Sequence, residues 1–499
     1  MYFLGFDIGS SSVKAALVRA DTKEVIRVVS APSMEMPMDA PQKGFAEQDP
    51  GMWWKYVCEC SRELMHEHPE AKDKIASIGL AYQMHGLVVV DQQGQVLRPS
   101  IIWSDSRAVE TGRAIEEQLN REDFIKSHYN VPGNFTFSKL RWVQENQPEI
   151  FEKIDKTMLP GDYIAYKMTG EIRTSITGLS EGIFWNFQEN MPSYSLMEKF
   201  DMSPDLLPEY GPSFSTMGYV SSEALEALGI SSGQEVAVSY RSGDQPNNAW
   251  SLNVNEPGVT AGTGGTSAVL YGISENPVID QTQRTNTFAH VNYQPEKPRT
   301  GTLPNINGAG ILYSWIRKNI ISPGSSYGEL EERASGIPVG SDGLVFLPFG
   351  NGAERMLGNK TVNAHLLNLD LNRHTDDHII RAGLEGVGYA YVYGYEIMKE
   401  LGVSSRILRV GNDNLFQSDL FSELIAALCD VEIEIRKATG AVGAALGSGV
   451  GSGYYKTIEE AMAREQIVRT IFPDPKLKEK YEQYYQNWKK ELQNKLERL

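Results

Sequence analysis

A short turn near the N-terminus carries residue types that can hold a phosphate group. Residues 5–18 read GFDIGSSSVKAALV, in which one apolar strand, a Gly and three Ser residues precede a second apolar strand. The backbone N–H and hydroxyl groups of such a β-turn point outward, where they can donate hydrogen bonds to an anion. The stretch therefore predicts a phosphate cradle at Gly9, Ser10, Ser11 and Ser12.

A second stretch of the same design lies near the middle of the chain. Residues 258–273 read GVTAGTGGTSAVLYGI, again a strand, a Gly/Thr/Ser turn and a strand. A repeated device suggests two related domains that face one ligand. Because Gly and Ser are ordinary turn residues, two unrelated hairpins explain this feature equally well.

The charge balance restricts the partners of the chain. There are 47 Lys and Arg residues against 64 Asp and Glu residues, a formal net charge of −17, and no basic run. Such a protein repels nucleic acid and anionic lipid, so we expect neither a nucleic acid nor a membrane partner. A phosphate ligand would then be held by backbone amides, a helix N-terminus or a metal ion.

Length and cysteine use indicate a cytoplasmic protein of two large domains. The 499 residues exceed what one hydrophobic core normally holds. The three cysteines, at positions 58, 60 and 429, are too few for a disulfide framework and have no metal-site spacing. The N-terminus lacks the pattern of a signal peptide, and no apolar stretch is long enough for a membrane span.

The elements that position the two turns follow from the hydrophobic patterns. Strands followed by helices indicate an α/β architecture. The run of small residues at 439–453 predicts a helix packed tightly against a neighbour, and the charged tail from Lys476 predicts a solvated surface helix. Strands are predicted at Tyr2–Ile8, Val13–Arg19 and Ile75–Tyr82, and a helix between about Pro50 and His68 with Asp49 as its N-cap.

Eight short motifs in a fixed order resemble one known family. They are DIGSSSVK at 7–14, GFAEQDPGMWW at 44–54, AYQMHGLVVV at 81–90, WSDSR at 103–107, KLRWV at 139–143, GDQPNNA at 243–249, GTS at 265–267 and LEGVGYA at 384–390. Several are weak alone, but their order and spacing together are specific. The chain resembles the FGGY carbohydrate kinases from Met1 to about Gly453.

The resemblance implies a fold and a reaction. The expected fold is the two-domain α/β actin-like, hexokinase-like ATPase fold, with duplicated ribonuclease H-like domains and a cleft between them. Residues 1–243 would form the sugar-binding N-terminal domain, and residues 244–499 the C-terminal domain with the catalytic Asp and the ATP site. The expected reaction is ATP-dependent phosphorylation of D-xylulose at its primary hydroxyl, with Mg²⁺. The sequence leaves a homodimer open.

The resemblance also assigns roles to individual residues. Asp7 would hold Mg²⁺ through water, and Asp244 would act as general base on the sugar hydroxyl. Without the resemblance, Asp7 is better explained as a strand carboxylate that caps its own turn, and Asp244 has an alternative explanation as an Asx-turn residue. ATP-binding residues would be Gly9, Ser10, Ser11, Ser12, Lys14, Gly265, Thr266, Ser267, Gly308, Gly310, Gly411, Asn412 and Asn414.

The sugar site would lie after the strand that ends near residue 82. By the same resemblance, Gln83, Met84 and His85 contact a pentulose, Met84 through its backbone and His85 through its imidazole. Trp103 would wall the sugar. A lone His after a strand is more often structural, and the tetrapeptide Gln-Met-His-Gly favours the sugar-binding interpretation.

One segment departs from the family pattern. Residues 410–418 read VGNDNLFQS where members carry a Gly-rich run under the adenine. Asn and Asp tolerate the left-handed backbone that such a turn needs, so the turn can persist. Three alternatives therefore stay open. The chain is a kinase for D-xylulose, a kinase for L-xylulose, ribulose, gluconate or another polyol, or a non-catalytic sugar-binding regulator with a degenerate nucleotide site.

Overall fold

The computed structural model describes residues 1–231, 233, 235–321, 324–463 and 467–499. The chain divides into two compact units. The first contains Met1–Asn255, Phe288–Thr300 and Thr439–Glu465, and the second contains Glu256–Thr287, Gly301–Ala438 and Gln466–Leu499. The expected boundary between residues 243 and 244 thus lies inside the first unit, which holds both Asp7 and Asp244.

The first unit is built on a mixed sheet with the strand order 237–243, 75–82, 2–8, 13–19, 25–31. The strand Tyr2–Ile8 is antiparallel to Val13–Arg19 and parallel to Ile75–Tyr82, which is in turn parallel to Ala237–Gly243. Ile8, Tyr82 and Gly243 are register partners, so these three parallel strands end at the same edge of the sheet. Ligands of α/β sheets bind at such an edge.

Helices cover both faces of this sheet. Helix Pro50–Glu67 begins as predicted, with the Asp49 side chain accepting a hydrogen bond from the amide of Gly51. Helix Gly440–Gly451 packs so tightly on the sheet that a Cβ on Gly5 or Gly79 would lie about 2 Å from its backbone oxygens. This contact places residues 439–465 in the first unit, although they are distant from it in sequence.

The elements of the first unit range from two-residue strands to the 18-residue helix Pro50–Glu67. The strands are Tyr2–Ile8, Val13–Arg19, Val25–Ala31, Glu47–Gln48, Ile75–Tyr82, Val88–Val90, Ser100–Ile101, Lys156–Met158, Arg173–Ser175, Trp185–Asn186, Met191–Pro192, Glu209–Gly211 and Ala237–Gly243. The helices are Pro50–Glu67, Val109–Glu117, Arg121–His128, Thr136–Asn146, Pro148–Phe151, Pro160–Thr169, Ile176–Glu181, Tyr194–Lys199, Ser222–Leu228, Asp244–Ser251, Gly440–Gly451 and Ile458–Met462.

The second unit repeats the arrangement of a hairpin beside parallel strands. Strand Val259–Gly264 is antiparallel to Ala268–Ser274 and parallel to Ile407–Gly411, which is parallel to Glu432–Arg436. The other strands here are Asn305–Ile306, Val345–Phe349, Asn363–Leu367 and Ile467–Ile471, with Asn286–Ala289 and Thr300–Leu303 where the chain passes from one unit to the other. The helices are Gly310–Asn319, Tyr327–Ser335, Asp376–Glu400, Asp419–Cys429 and Pro475–Leu496.

The C-terminal helix differs from the sequence expectation. Helix Pro475–Leu496 has a charged outer face, but Tyr481, Tyr485, Trp488 and Leu492 are buried in the core of the second unit. The Trp488 indole donates a hydrogen bond to the carbonyl of Phe346. The prediction of a solvated surface helix is therefore wrong for one face, because this aromatic stripe at helical spacing supplies part of the core.

Candidate active site

The first predicted turn joins strands Tyr2–Ile8 and Val13–Arg19. The Gly9 amide donates to the Ser12 carbonyl at 3.0 Å and closes the turn. Ser11 is exposed, and Gly9, Ser10 and Ser12 are partly exposed. The turn thus presents small residues and hydroxyl groups to solvent, as a phosphate cradle requires.

Two carboxylates lie at the edge of the sheet beside this turn. Asp7 is paired across the hairpin with Lys14, and Asp244 follows the last residue of strand Ala237–Gly243. Asp244 occupies the first position of helix Asp244–Ser251, where the helix dipole favours negative charge. A Cβ on Gly440, the first residue of helix Gly440–Gly451, would lie 2.4 Å from Asp7 Oδ2, so Asp7 also faces a helix N-terminus.

The two carboxylates influence each other. Burial raises the pKa of Asp7, and the Lys14 ammonium partly offsets this effect. Burial and then the charge of Asp7 raise the pKa of Asp244 to about 7, against hydrogen bonds from Gln245 that lower it. A carboxyl group with a pKa near 7 can accept a proton at neutral pH, which is the property of a general base.

The predicted sugar-binding segment follows strand Ile75–Tyr82 directly. Gln83 and Met84 are buried, with exposed fractions of 2% and 5%, and His85 is partly buried. The backbone amide of Gln83 donates a hydrogen bond to the Ile8 carbonyl. This bond joins the segment to the strand that carries Asp7. The His85 ring lies 4.8 Å from the Phe135 ring and 5.3 Å from the Phe288 ring, centroid to centroid.

A buried glutamine connects this segment to the phosphate turn. Gln48 Nε2 donates to the Ser10 carbonyl at 2.7 Å, and its Oε1 accepts from Trp53 Nε1 and from Gln83 Nε2 at 3.1 and 3.4 Å. Trp103, which is 49% exposed, donates from Nε1 to Ser10 Oγ at 3.3 Å. The structure therefore brings Ser10, Gln83 and Trp103 together.

In the second unit, the predicted turn at Gly265, Thr266 and Ser267 joins the strands of the second hairpin. Thr266 is exposed, and Gly265 and Ser267 are partly exposed. The Asn414 side-chain amide lies 4.0 Å from a Cβ built on Gly265, so the structure brings this turn to the segment with Gly411, Asn412 and Asn414. Asn414 has φ of 52° and supplies the left-handed backbone that the sequence predicts there.

The amides of Gly308 and Gly310 already have partners. Glu354 accepts hydrogen bonds from the amides of Asn307 and Gly308, both at 3.0 Å. The amides of Gly310 and Ile311 donate to the carbonyls of Gly265 and Thr266 at 3.0 and 3.1 Å. Gly310 thus braces the turn, and the Gly308 amide is held by Glu354, so neither amide is free for a phosphate.

Sequence reasoning missed functional candidates that only the fold reveals. Glu181 and Lys139 are buried beside His85, with exposed fractions of 1% and 0%. Lys139 begins the KLRWV motif, which gave it no role, and nothing in the sequence around Glu181 distinguishes it. Arg107 and Asp105, by contrast, pair with each other at 2.7 Å.

The described residues contain no group of three or more His, Cys, Asp or Glu side chains arranged to hold a metal ion. A single carboxylate such as Asp7 is still compatible with Mg²⁺, because this ion keeps much of its water shell and binds substrate phosphates. In the described ranges, no helix has both the length and the hydropathy required to cross a membrane.

Comparison with known proteins decides the family. The model of the FGGY family of carbohydrate kinases matches at residues 2–249 for its N-terminal domain and 260–451 for its C-terminal domain. The chain belongs to the FGGY family of carbohydrate kinases. The resemblance seen in the sequence is confirmed, and so is the two-domain α/β fold.

FGGY kinases similar to this chain cover almost its whole length. The xylulose kinase of Bacillus subtilis (strain 168) is 27% identical over 501 residues, which cover 98% of this chain and 96% of that protein. The crystal structure of xylulose kinase from Rhodospirillum rubrum has a TM-score of 0.86 at 24% identity and covers 98% of each chain. Gluconate kinase from Lactobacillus acidophilus has a TM-score of 0.87 at 21% identity and covers 99% of this chain and 98% of that one.

Proposed function

We propose that this FGGY kinase transfers the γ-phosphoryl group of ATP to the primary hydroxyl of D-xylulose and forms D-xylulose 5-phosphate. The hydroxyl oxygen bonds to the γ-phosphorus, while the bond from that phosphorus to the β,γ-bridging oxygen breaks. The hydroxyl proton passes to the carboxylate of Asp244, and ADP leaves. Such a reaction depends mainly on positioning and charge neutralisation, together with a base for the attacking hydroxyl.

The observation that carries this proposal is the pair Asp7 and Asp244. Both lie where parallel strands of the first unit end, and the charge of Asp7 contributes to the raised pKa of Asp244, about 7. With this pKa, a substantial fraction of Asp244 is ionised at neutral pH and can take up a proton. In the proposal, Asp244 is the base and Asp7 has a different task.

That task is to hold Mg²⁺ with the triphosphate. Mg²⁺ neutralises charge on the phosphates and favours carboxylate, phosphate and water oxygens. Asp7 fits because it is a partly exposed residue at the sheet edge, paired with Lys14 and facing Gly440. In this proposal, the hydroxyl groups of Ser10, Ser11 and Ser12 receive the γ-phosphate.

The second unit carries the other residues that we propose for ATP binding. There, the exposed Thr266 and the partly exposed Gly265 and Ser267 offer donors to a phosphate, with Gly411, Asn412 and Asn414 close to the same turn. Since Asn412 and Asn414 are exposed, their side chains have room to meet adenine or ribose.

The choice of sugar rests on the curated relatives and the segment at Gln83–His85. The xylulose kinase of Bacillus subtilis supports a pentulose. Since a gluconate kinase shares the fold at a similar TM-score, the fold alone does not select the sugar. The proposed sugar contacts are Gln83, Met84, His85, Trp103 and the base Asp244.

A coupled assay of ADP release tests the proposal. D-xylulose, L-xylulose, ribulose, gluconate and glycerol are compared at fixed ATP and Mg²⁺, with a blank that lacks sugar. We expect the highest kcat/KM with D-xylulose. Faster turnover of another sugar would reassign the substrate within the family. Sugar binding by calorimetry without ATP binding or turnover would instead identify a sugar-binding regulator.

A further inference from the structure

His85 has an unusual backbone conformation for a residue with a side chain. Its φ of 62° lies in the left-handed region, which costs an ordinary L-residue about 1–2 kcal/mol. Residues keep such a conformation when surrounding contacts impose it, and these residues cluster at functional sites. The contacts that hold His85 therefore bear on the function of the sugar-binding segment.

Glu181 holds His85 from one side with two hydrogen bonds. The carboxyl group of Glu181 accepts one from the backbone amide of His85. The backbone carbonyl of Glu181 lies 3.1 Å from His85 Nδ1. A carbonyl oxygen only accepts hydrogen bonds, so Nδ1 carries the proton and the lone pair of the neutral ring is on Nε2.

Lys139 holds the same residue from the other side. Its Nζ donates to the carbonyls of His85 and Ile102 at 2.7 and 3.0 Å. The backbone amide, the backbone carbonyl and the ring of His85 are thus all fixed by two buried side chains and one carbonyl. Burial lowers the pKa of Lys139 to about 7, which shows that this position is costly for an ammonium group.

The carboxyl group of Glu181 is also in a costly position. Burial and then the charge of Asp244 raise its pKa well above the usual range, and Asp162 acts in the same direction. Its Oε1 atom lacks a hydrogen-bond partner among the described residues. A Cβ on Gly243 would lie 2.4 Å from Glu181 Oε2 and 2.5 Å from Met84 Cγ, so Glu181 packs between the sugar-binding segment and the residue before Asp244.

We propose that Glu181 is a positioning residue for the sugar. It fixes His85 in the left-handed conformation and in the Nδ1-protonated tautomer, so that His85 Nε2 accepts a hydrogen bond from a sugar hydroxyl. The sugar contact rests on the proposed function, whereas the conformation and the tautomer of His85 do not. Two experiments separate these parts.

The first experiment reads the tautomer without any substrate. The imidazole nitrogens of the full-length protein are labelled with ¹⁵N, and their chemical shifts and couplings are recorded near pH 8. A His85→Asn variant identifies the His85 signals. We expect a protonated Nδ1 and an unprotonated Nε2. A protonated Nε2 would overturn the proposal, whatever the enzyme phosphorylates.

The second experiment separates sugar binding from stability. Glu181→Gln keeps an oxygen that can accept the His85 amide, so we expect the KM for sugar to stay within about threefold, or about 0.7 kcal/mol. Glu181→Leu removes the acceptor and should raise this KM at least about tenfold, or about 1.4 kcal/mol, with the KM for ATP unchanged. A sugar KM that is unchanged in Glu181→Leu would contradict the proposal.

Two controls show whether Glu181 acts through His85. Asp280 is a buried carboxylate that accepts the backbone amides of Thr282 and Arg284 in the second unit. Asp280→Leu should lower the melting temperature without raising the KM for sugar. In a His85→Asn background, Glu181→Leu should change the sugar KM by less than about twofold, because effects that act through one residue are not additive. Independent effects that multiply would overturn the proposal. Glu181→Met, which also lacks an acceptor oxygen, replaces Glu181→Leu if the latter does not fold.

Discussion

The two hairpins that carry the predicted phosphate turns have the same strand arrangement but different side chains beside the turn. In each unit, an antiparallel hairpin is flanked by a strand parallel to its first strand. The last register pair before the turn is Ile8 and Val13 in the first hairpin, and the pair before it is Asp7 and Lys14. The pair at the same position of the second hairpin is Thr263 and Val269. The repeated scaffold is therefore charged in one unit and neutral in the other.

The turns are also braced differently. Side chains hold the first turn, since Gln48 donates to the Ser10 carbonyl and Trp103 to the Ser10 hydroxyl. Backbone amides at the start of helix Gly310–Asn319 hold the second turn. Side chains thus hold the turn beside the charged hairpin position, and backbone amides hold the turn beside the neutral one.

The largest effect is expected for Asp244→Asn in the first unit. The amide cannot take the sugar proton, so turnover should fall by about 10²–10⁴-fold, the usual contribution of a general base. The KM for ATP should change little, and circular dichroism should show an intact fold. Retention of turnover within a few-fold of the original would remove Asp244 from its role.

The charged hairpin position is tested by Asp7→Asn. We expect turnover to fall by about 10²-fold at low Mg²⁺, as for the loss of one charge-stabilising group, with partial recovery as Mg²⁺ is raised. The matched variant at the neutral hairpin is Thr263→Val, which removes a 3.1 Å hydrogen bond from the Val269 amide. It should cost about 1 kcal/mol of stability and leave turnover nearly unchanged. Equal effects of the two variants, or a loss in Asp7→Asn that is insensitive to Mg²⁺, would refute the difference between the hairpins.

Two glycine substitutions compare the surroundings of the turns. A Cβ on Gly440 would lie 2.4 Å from Asp7 Oδ2, and a Cβ on Gly310 would lie 2.3 Å from the Gly265 carbonyl oxygen. Gly440→Ala should lower kcat by about tenfold, because it displaces a group that positions the reacting atoms. Gly310→Ala should instead raise the KM for ATP. A lower kcat in Gly310→Ala together with an unchanged kcat in Gly440→Ala would contradict the proposed difference between the two turns.

The smallest effect is expected at the turn that departs from the family pattern. In Asn414→Ala, the alanine must adopt the left-handed φ of 52°, a conformation that Asn tolerates better than Ala does. We expect this variant to lose about 1–2 kcal/mol of stability. Asn414→Gly avoids that cost. If the Asn414 side chain meets the nucleotide, both variants raise the KM for ATP alike, by less than about threefold, or about 0.7 kcal/mol. A KM for ATP that is unchanged in both variants would exclude Asn414 from the nucleotide site.

The sequence predicted the elements whose signals are local. Strands Tyr2–Ile8, Val13–Arg19 and Ile75–Tyr82 have the predicted bounds, because dense apolar and β-branched residues end at polar turns. Asp49 and Pro50 likewise mark the start of their helix. The last helix is rich in charged residues, and the prediction of a solvated helix rested on that charge. It overlooked the apolar stripe at helical spacing formed by Tyr481, Tyr485, Trp488 and Leu492.

Features that depend on distant contacts could not be predicted. Helix Gly440–Gly451 packs closely against the strands that contain Gly5 and Gly79. This helix, which ends the part of the chain that matches the family, therefore belongs to the first unit. Glu181 and Lys139 contact His85 only because the fold brings distant segments together. The amide partners of Gly308 and Gly310 also come from other segments, so local sequence patterns do not indicate that these amides are occupied.

We expect Asp7 and Asp244 to interact as a pair of carboxylates in the first unit. NMR titration of the ¹³C-labelled Asp244 carboxyl group in the free enzyme and in Asp7→Asn measures this interaction. We predict a midpoint of about 7 in the original protein and a lower midpoint in the variant, because the Asp7 charge raises the pKa of Asp244. A midpoint near 4, the ordinary value for Asp, in both proteins would show that the two carboxylates do not interact.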